Sequence, residues 1–445
     1  MSIRVGLISL GCAKNLVDSE HMLADMAEAG IEIVADVSDA DVAVINTCGF
    51  IESAKQEAIQ TILETAELKQ TGSLKGLIVT GCLAQRYPKE IEQDLPEVDA
   101  ILGTGSYTDI VEAVHAVMKQ PTETYCCFGN IDEAELEGGR MLLTPSYSAF
   151  LKIAEGCSNH CAYCVIPKLR GKFRSRTMED ILAEARALAA SGVREIIVVA
   201  QDITRYGTDL YGKRCLSELL HELCKLDFTW VRLHYLYPDE ITDDMIETIA
   251  TEPKIVKYLD IPIQHVNNRI LRAMHRRGDA AFLTKLFNEL RDRIPGLVLR
   301  TSLIVGLPGE TEEEFEELCE FLRDIRIERA GVFCYSPEEG SEAAEMPDQI
   351  DEETKNERRM IIEELQSDVL DFFAARMKGQ LVDVLCEGWD GETGLYYGRS
   401  YADSPDIDGR VLFDSVFSVE EGQFVPVRIT GAQGADLTGN TETME

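Results

Sequence analysis

Thirteen cysteines stand in this 445-residue chain, and six of them are placed to do chemistry. Cys157, Cys161 and Cys164 lie in Glu155-Gly-Cys-Ser-Asn-His-Cys-Ala-Tyr-Cys164, a C-x3-C-x2-C spacing. Three thiolates on one short loop can face one point. A structural zinc takes four ligands, so zinc here would need a fourth, with His160 the nearest. An iron–sulfur cluster held by three cysteines leaves one iron free to bind something else. Cys12, Cys48 and Cys82 form a second set, in Ser9-Leu-Gly-Cys12, Asn46-Thr-Cys-Gly49 and Val79-Thr-Gly-Cys82. Taken singly, each reads as a buried structural cysteine. Each, however, follows an apolar run and has glycine beside it, and that repetition points to a second three-cysteine cluster.

The elements that must position them follow from the pattern. Ile3–Leu10, Val42–Ile45 and Leu77–Val79 are short Val/Ile-rich runs, as in parallel strands buried on both faces. Helical stretches alternate with them (17–29, 52–69 and 110–119), predicting an α/β domain over 1–140. In a parallel sheet the carboxyl ends of the strands share one edge, where ligands bind. Thiols distant in sequence can therefore converge there. Residues 121–148, punctuated by Pro121, Gly129, Gly138, Gly139 and Pro145 around an acidic run, read as a linker. Cys126 and Cys127 are adjacent and poorly placed to ligate one metal.

Over 141–375, six further strands are expected, at 149–153, 195–200, 230–234, 258–261, 298–304 and 331–335, with helices between them. Thr177 reads as the N-cap of one helix. Thr311-Glu-Glu-Glu314 is a capping box opening another, whose apolar face includes Cys319. Six βα units predict an incomplete barrel, with its site on the loops after the strands. The 157–164 loop is one of these; Gln264 and His265 lie on another, and Gly306-Leu-Pro-Gly-Glu310 forms a third. Lys168-Leu-Arg-Gly-Lys-Phe-Arg-Ser-Arg176 is a basic run beside the cysteine loop. It reads either as a solvated face or as a carboxylate- or phosphate-binding stretch. A long helix over 351–377 leads to 376–445, whose short strands and turns predict a small all-β barrel.

Composition bounds the rest. The length suits about three domains. There is no apolar run of roughly 18 residues and no signal-peptide pattern, so a soluble, cytoplasmic protein is expected. An odd number of cysteines argues for metal ligation in a reducing compartment. The formal charge of −36 disfavours phosphate-rich partners and favours a basic protein.

Three stretches carry a resemblance: Leu151-Lys-Ile-Ala-Glu-Gly-Cys157, Cys164-Val-Ile-Pro-Lys-Leu-Arg-Gly-Lys-Phe-Arg-Ser-Arg176 and Ala200-Gln-Asp-Ile-Thr-Arg-Tyr-Gly207. Together with the two cysteine sets and the three-region order, they resemble the radical S-adenosylmethionine (SAM) methylthiotransferases over nearly the whole chain. The resemblance implies an α/β fold with a (β/α)6 barrel and a terminal TRAM barrel. It implies two [4Fe-4S] clusters, one on Cys12, Cys48 and Cys82 and the other on Cys157, Cys161 and Cys164, the latter binding SAM at its open iron. The expected cofactor contacts are Tyr163, Gln264 and Gly306. Lys168, Arg170 and Arg174 are the expected holders of a substrate carboxylate. The implied reaction adds a methylthio group to the β-carbon of an aspartate in small-subunit ribosomal protein number twelve, using an electron donor and a sulfur source. The competing expectations are a tRNA adenosine methylthiotransferase and a non-catalytic zinc-containing RNA-binding protein. Thirteen acidic against five basic residues over 376–445 favour docking of a basic protein there, with Asp403-Ser-Pro-Asp-Ile-Asp408 as an acidic rim.

Overall fold

The computed structural model describes residues 2–72, 74–119, 123–134 and 136–442. Positions 121, 122 and 135 of the anticipated linker and the terminal 443–445 lie outside the described residues. The first sheet is parallel and holds β1 (Arg4–Ser9), β2 (Glu32–Ile33), β3 (Val42–Thr47), β4 (Gly76–Gly81), β5 (Ala100–Leu102) and β6 (Tyr125–Cys127), in the order β2-β1-β3-β4-β5-β6. Its central strands are buried throughout, which explains their unbroken Val/Ile texture. The anticipated linker is therefore not all linker. Residues 125–127 pair in parallel with β5 and complete this sheet.

The second sheet is also parallel. It holds β7 (Ser148–Lys152), β10 (Glu195–Val199), β11 (Trp230–Leu233), β12 (Ile255–Asp260), β13 (Val298–Val305) and β14 (Arg329–Cys334), in sequential order from β7 to β14. This is the incomplete six-stranded barrel that the repeated βα units predict. A short antiparallel pair, β8 (Ala154–Glu155) and β9 (Arg174–Ser175), closes the cysteine loop at its base. Thr177 caps its helix through the Asp180 N–H, and the Thr311–Glu314 capping box is formed in full. Helix Ala13–Glu28 of the first unit packs on β7, and helix Glu352–Met377 packs on β14, so both edge strands are covered.

The last strands, β15 (Leu381–Asp390), β16 (Leu395–Arg399), β17 (Val411–Asp414), β18 (Phe424–Gln433) and β19 (Asp436–Thr441), form a closed barrel. Its core is continuous with Tyr147, Trp230, Val298 and Phe373 of the preceding region. These contacts and the ion pairs beside them involve the first residues of the larger barrel's strands. Glu195 Oε2 accepts from Arg399 at 2.6 Å and Oε1 accepts from Arg232 at 3.0 Å. Two of the three aspartates of the expected acidic rim belong instead to an internal plug, while Asp406 is exposed. Asp403 accepts from Arg329 at 2.7 Å, Ser404 pairs with His234 at 3.1 Å, and Asp408 accepts from the Tyr258 hydroxyl at 2.6 Å. The Arg232, His234, Tyr258 and Arg329 side chains are buried, so the loop supplies the partners that buried polar groups require. Asp403 and Asp408 therefore do not face a docking partner. The small barrel sits at the strand starts, whereas the six cysteines follow strand ends.

Glu195 is 0% exposed. Burial opposes its charge, but Arg399 and Arg232 hold its carboxyl down to about 2. A depressed carboxylate stabilises the fold above its unfolded value near 4.5, and this contribution is lost as pH falls from there through the folded value. Glu195→Ala leaves the buried Arg232 guanidinium without a carboxylate and Arg399 with Glu387 alone, and breaking such a buried pair costs about 3–5 kcal/mol. The expected result is a lowered midpoint in thermal unfolding at neutral pH, with cleavage near residue 378 in limited proteolysis.

Candidate active site between two cysteine sets

Strand register brings the first set together. Ser9 pairs with Asn46 and Thr47 with Gly81, so the residues that follow these three adjacent strands emerge side by side. Glycine then lets the loops close. Gly11 has φ +88, and a Cβ there would meet the Cys48 Cβ at 2.7 Å and its Sγ at 3.1 Å. Gly81 has φ +93, and a Cβ there would meet the Thr47 carbonyl at 2.5 Å. Both positions combine a left-handed backbone with close approach, which only glycine tolerates. Asn15 fixes the Cys12 loop by donating to the Leu10 carbonyl at 2.7 Å. Burial opposes ionisation of Cys12, yet Lys14 and Arg170 hold its thiol below the usual value. Burial raises Cys48 and pushes Cys82 up to about 12.

The second set is held by its own loop. The Cys157 N–H donates to the Gly171 carbonyl at 3.1 Å, and the Cys164 N–H donates to the Cys161 carbonyl at 3.0 Å. Cys161 Sγ lies 3.0 Å from the Tyr237 hydroxyl. Burial pushes Cys157 up to about 11 and Cys164 higher still. The two sets face one another, because Cys82 packs with Val165 and Leu169, directly after Cys164, and with Phe50. Arg170 is the polar link. It donates to Asp18 at 2.9 Å, to Glu155 at 2.9 Å and to Asn15 Oδ1 at 3.0 Å. Lys152 pairs with the same two carboxylates, and Gln201 donates to Glu155 at 2.7 Å. Burial works against the Glu155 charge, but Arg170 and Lys152 hold its carboxyl well below the usual range.

The remaining sequence candidates fall in different places. Tyr163 packs beside Ile270, Met274, Leu307 and Tyr335. Gln264 has φ +70 and bonds through its backbone to Ser302 and Ile304 of β13. Gly306 has φ +78, and a Cβ there would meet Lys355 Cγ at 2.4 Å, so helix packing accounts for that glycine. His265 is buried; Nδ1 accepts from the Asn267 N–H at 3.0 Å, while Nε2 makes no hydrogen bond and lies 3.8 Å from Glu310 Oε2. Lys168 donates to the Gly340 carbonyl at 2.6 Å. Arg174 donates to the Ala134 and Ile131 carbonyls at 2.7 and 2.8 Å. Arg170 is 2% exposed. Of the basic run, then, Arg170 and Arg174 tie the first unit to the barrel. Lys14, Tyr235 and Tyr237 are not legible as site residues from the local pattern. The only signal for the tyrosines is their position after a strand; Lys14 reads as one more charge on a helix.

Comparison with known proteins agrees with this geometry. Residues 4–103 match an uncharacterized protein family (UPF0004), 151–322 the radical SAM superfamily and 379–441 the TRAM domain. The ribosomal protein uS12 methylthiotransferase RimO of Pelotomaculum thermopropionicum is 49% identical, over 99% of this chain and 100% of that one. Its counterpart from Geobacter sulfurreducens is 48% identical over 98% of each. This chain belongs to the RimO family of radical SAM methylthiotransferases. Among solved structures, the radical S-adenosylmethionine methyltransferase TsrM of Kitasatospora setae has the same fold, with TM-score 0.57 at 12% identity. It covers 88% of this chain and 79% of that one.

RimO-family enzymes are transferases that use SAM and two iron–sulfur clusters, and the donors here fit that requirement. All six thiols are free of disulfides. Among the described residues, no three His, Cys, Asp or Glu side chains gather tightly enough for a single metal ion. A four-iron cube is larger than an ion, and its thiolates stand further apart. His160, the fourth ligand that a zinc knuckle would need, is exposed. Iron at these thiols would replace the proton that burial retains on Cys48, Cys82, Cys157 and Cys164.

Proposed function

We propose that this enzyme adds a methylthio group to the β-carbon of an aspartate in ribosomal protein uS12, in the cytoplasm. The sulfur would be held at the Cys12, Cys48 and Cys82 set, with electrons and sulfur supplied from outside the chain. One observation carries the reading: the packing of Cys82 against Val165 and Leu169, which sets the two cysteine loops on one space. The names of the relatives at 48–49% identity support the choice of substrate.

Bound at Cys157, Cys161 and Cys164, a reduced cluster with SAM supplies a radical able to take hydrogen from an unactivated C–H bond. The chain's own residues do the rest. Tyr237 fixes Cys161, and the Gly171 carbonyl fixes Cys157. Phe50, Val165 and Leu169 form an apolar wall that keeps water from the space between the sets. Arg170 and Lys14 place positive charge beside thiolates that burial disfavours.

A tRNA substrate is the weaker reading. A formal charge of −36 repels a phosphate backbone and steers a basic protein. The test is anaerobic reconstitution with iron and sulfide, followed by mass spectrometry of purified uS12 and of tRNA after turnover. We expect uS12 to gain one methylthio group and tRNA to remain unchanged; the reverse pattern would move the enzyme to the tRNA-modifying branch.

A further inference from the structure

Lys14 is buried to within 9% of its surface. Its ammonium lies 3.8 Å from the centroid of the Tyr235 ring. Among the described residues it donates to no carbonyl or side-chain acceptor of the chain, although three N–H groups are available to it. It also sits in the first turn of helix Ala13–Glu28, where the backbone N–H groups already favour an anion. Cys12 and Glu155 are its anionic neighbours, but its donors are left open for an incoming acceptor.

Its place in the molecule says where that acceptor stands. Lys14 is two residues from Cys12. Tyr235, beneath its ammonium, is two residues from Tyr237, whose hydroxyl is 3.0 Å from Cys161. Tyr235 has φ +66, a conformation rare for an aromatic residue, which holds the ring under Lys14. The ammonium therefore lies where the Cys12 loop of the first unit meets a strand end of the larger barrel. The basic residues expected to hold a substrate carboxylate are otherwise engaged: Arg170 is committed to Asp18, Glu155 and Asn15, Arg174 to two carbonyls, and Lys168 to Gly340.

We propose that Lys14 is the substrate-binding residue that receives the carboxylate of the target aspartate, with Tyr235 as its positioning residue. The inference rests on the reading that the substrate is an aspartate. A single ammonium at this seam would hold the carboxylate beside the Cys12 loop and under the barrel's strand ends. It would also discriminate an acidic side chain from a neutral one or a nucleobase, because a neutral group leaves the cation unpaired.

The experiment uses the reconstituted full-length enzyme, purified uS12, and uS12 in which the modified aspartate, located by mass spectrometry in the wild-type reaction, is changed to Asn. Lys14→Met keeps an apolar stem on Tyr235 without the charge, and Lys14→Arg keeps the charge. Binding of both uS12 forms is measured by titration calorimetry, alongside kcat/KM, iron per chain and SAM affinity. The wild type should prefer the Asp form by roughly a hundredfold. Lys14→Met should bind both forms equally and weakly with its iron content unchanged, and Lys14→Arg should recover much of the preference. An unchanged Asp preference in Lys14→Met overturns the proposal. So does a loss of iron or of SAM affinity with uS12 binding intact, which would assign Lys14 to Cys12 or to SAM. Failure of the wild type to modify uS12 at all would instead refute the substrate reading on which the proposal stands.

Discussion

Cys157→Ala is expected to abolish reductive cleavage of SAM and to lower iron content by about half, since three ligands anchor each cluster. The iron that remains should give the spectrum of a cluster on Cys12, Cys48 and Cys82, because no main-chain bond of that set runs through Cys157. The Cys157 thiol is not a packing element: it keeps part of its surface open, and its loop is fixed through backbone atoms, by its N–H to Gly171. The fold should therefore survive, with an unchanged far-ultraviolet dichroism spectrum. Release of 5′-deoxyadenosine at the wild-type rate would remove the 157–164 loop from the chemistry.

The complementary change separates the two halves of the reaction. Cys48→Ala should leave SAM cleavage running while methylthiolated product disappears, so that 5′-deoxyadenosine accumulates without transfer. The Cys48 loop meets the second set across the shared apolar space, through Phe50. Its loss should therefore not disturb Cys161 on Tyr237. Methylthio product persisting at the normal rate in this variant would show that sulfur is not held at the first set.

Much of this architecture could be read from the chain. The Val/Ile runs of β3 and β4 are buried on both faces, so the pattern that identifies them is the packing itself, and with the half-buried β1 beside them it places Cys12, Cys48 and Cys82 at one edge. The caps at Thr177 and Thr311 are local hydrogen bonds between near neighbours and were legible for that reason. What was not legible is long-range. β2 has two residues and β6 has three, too few to show a period, so Tyr125–Cys127 read as linker. Nothing near Arg170 announces Asp18 or Asn15, about 150 residues away, and a basic run looks the same whether it meets solvent or a buried carboxylate. Asp403 and Asp408 misled for the same reason: their partners Arg329 and Tyr258 belong to another sheet. Lys14 was invisible because what marks it is the absence of an acceptor, which only three-dimensional packing can show.

The plug has a consequence for how force travels through the molecule. Residues 400–408 bond to Arg232, His234, Tyr258 and Arg329 at the strand starts of the larger barrel, the end of that sheet opposite the cysteine loops. A pull on the terminal barrel therefore loads the strand starts first and the cysteine loops last.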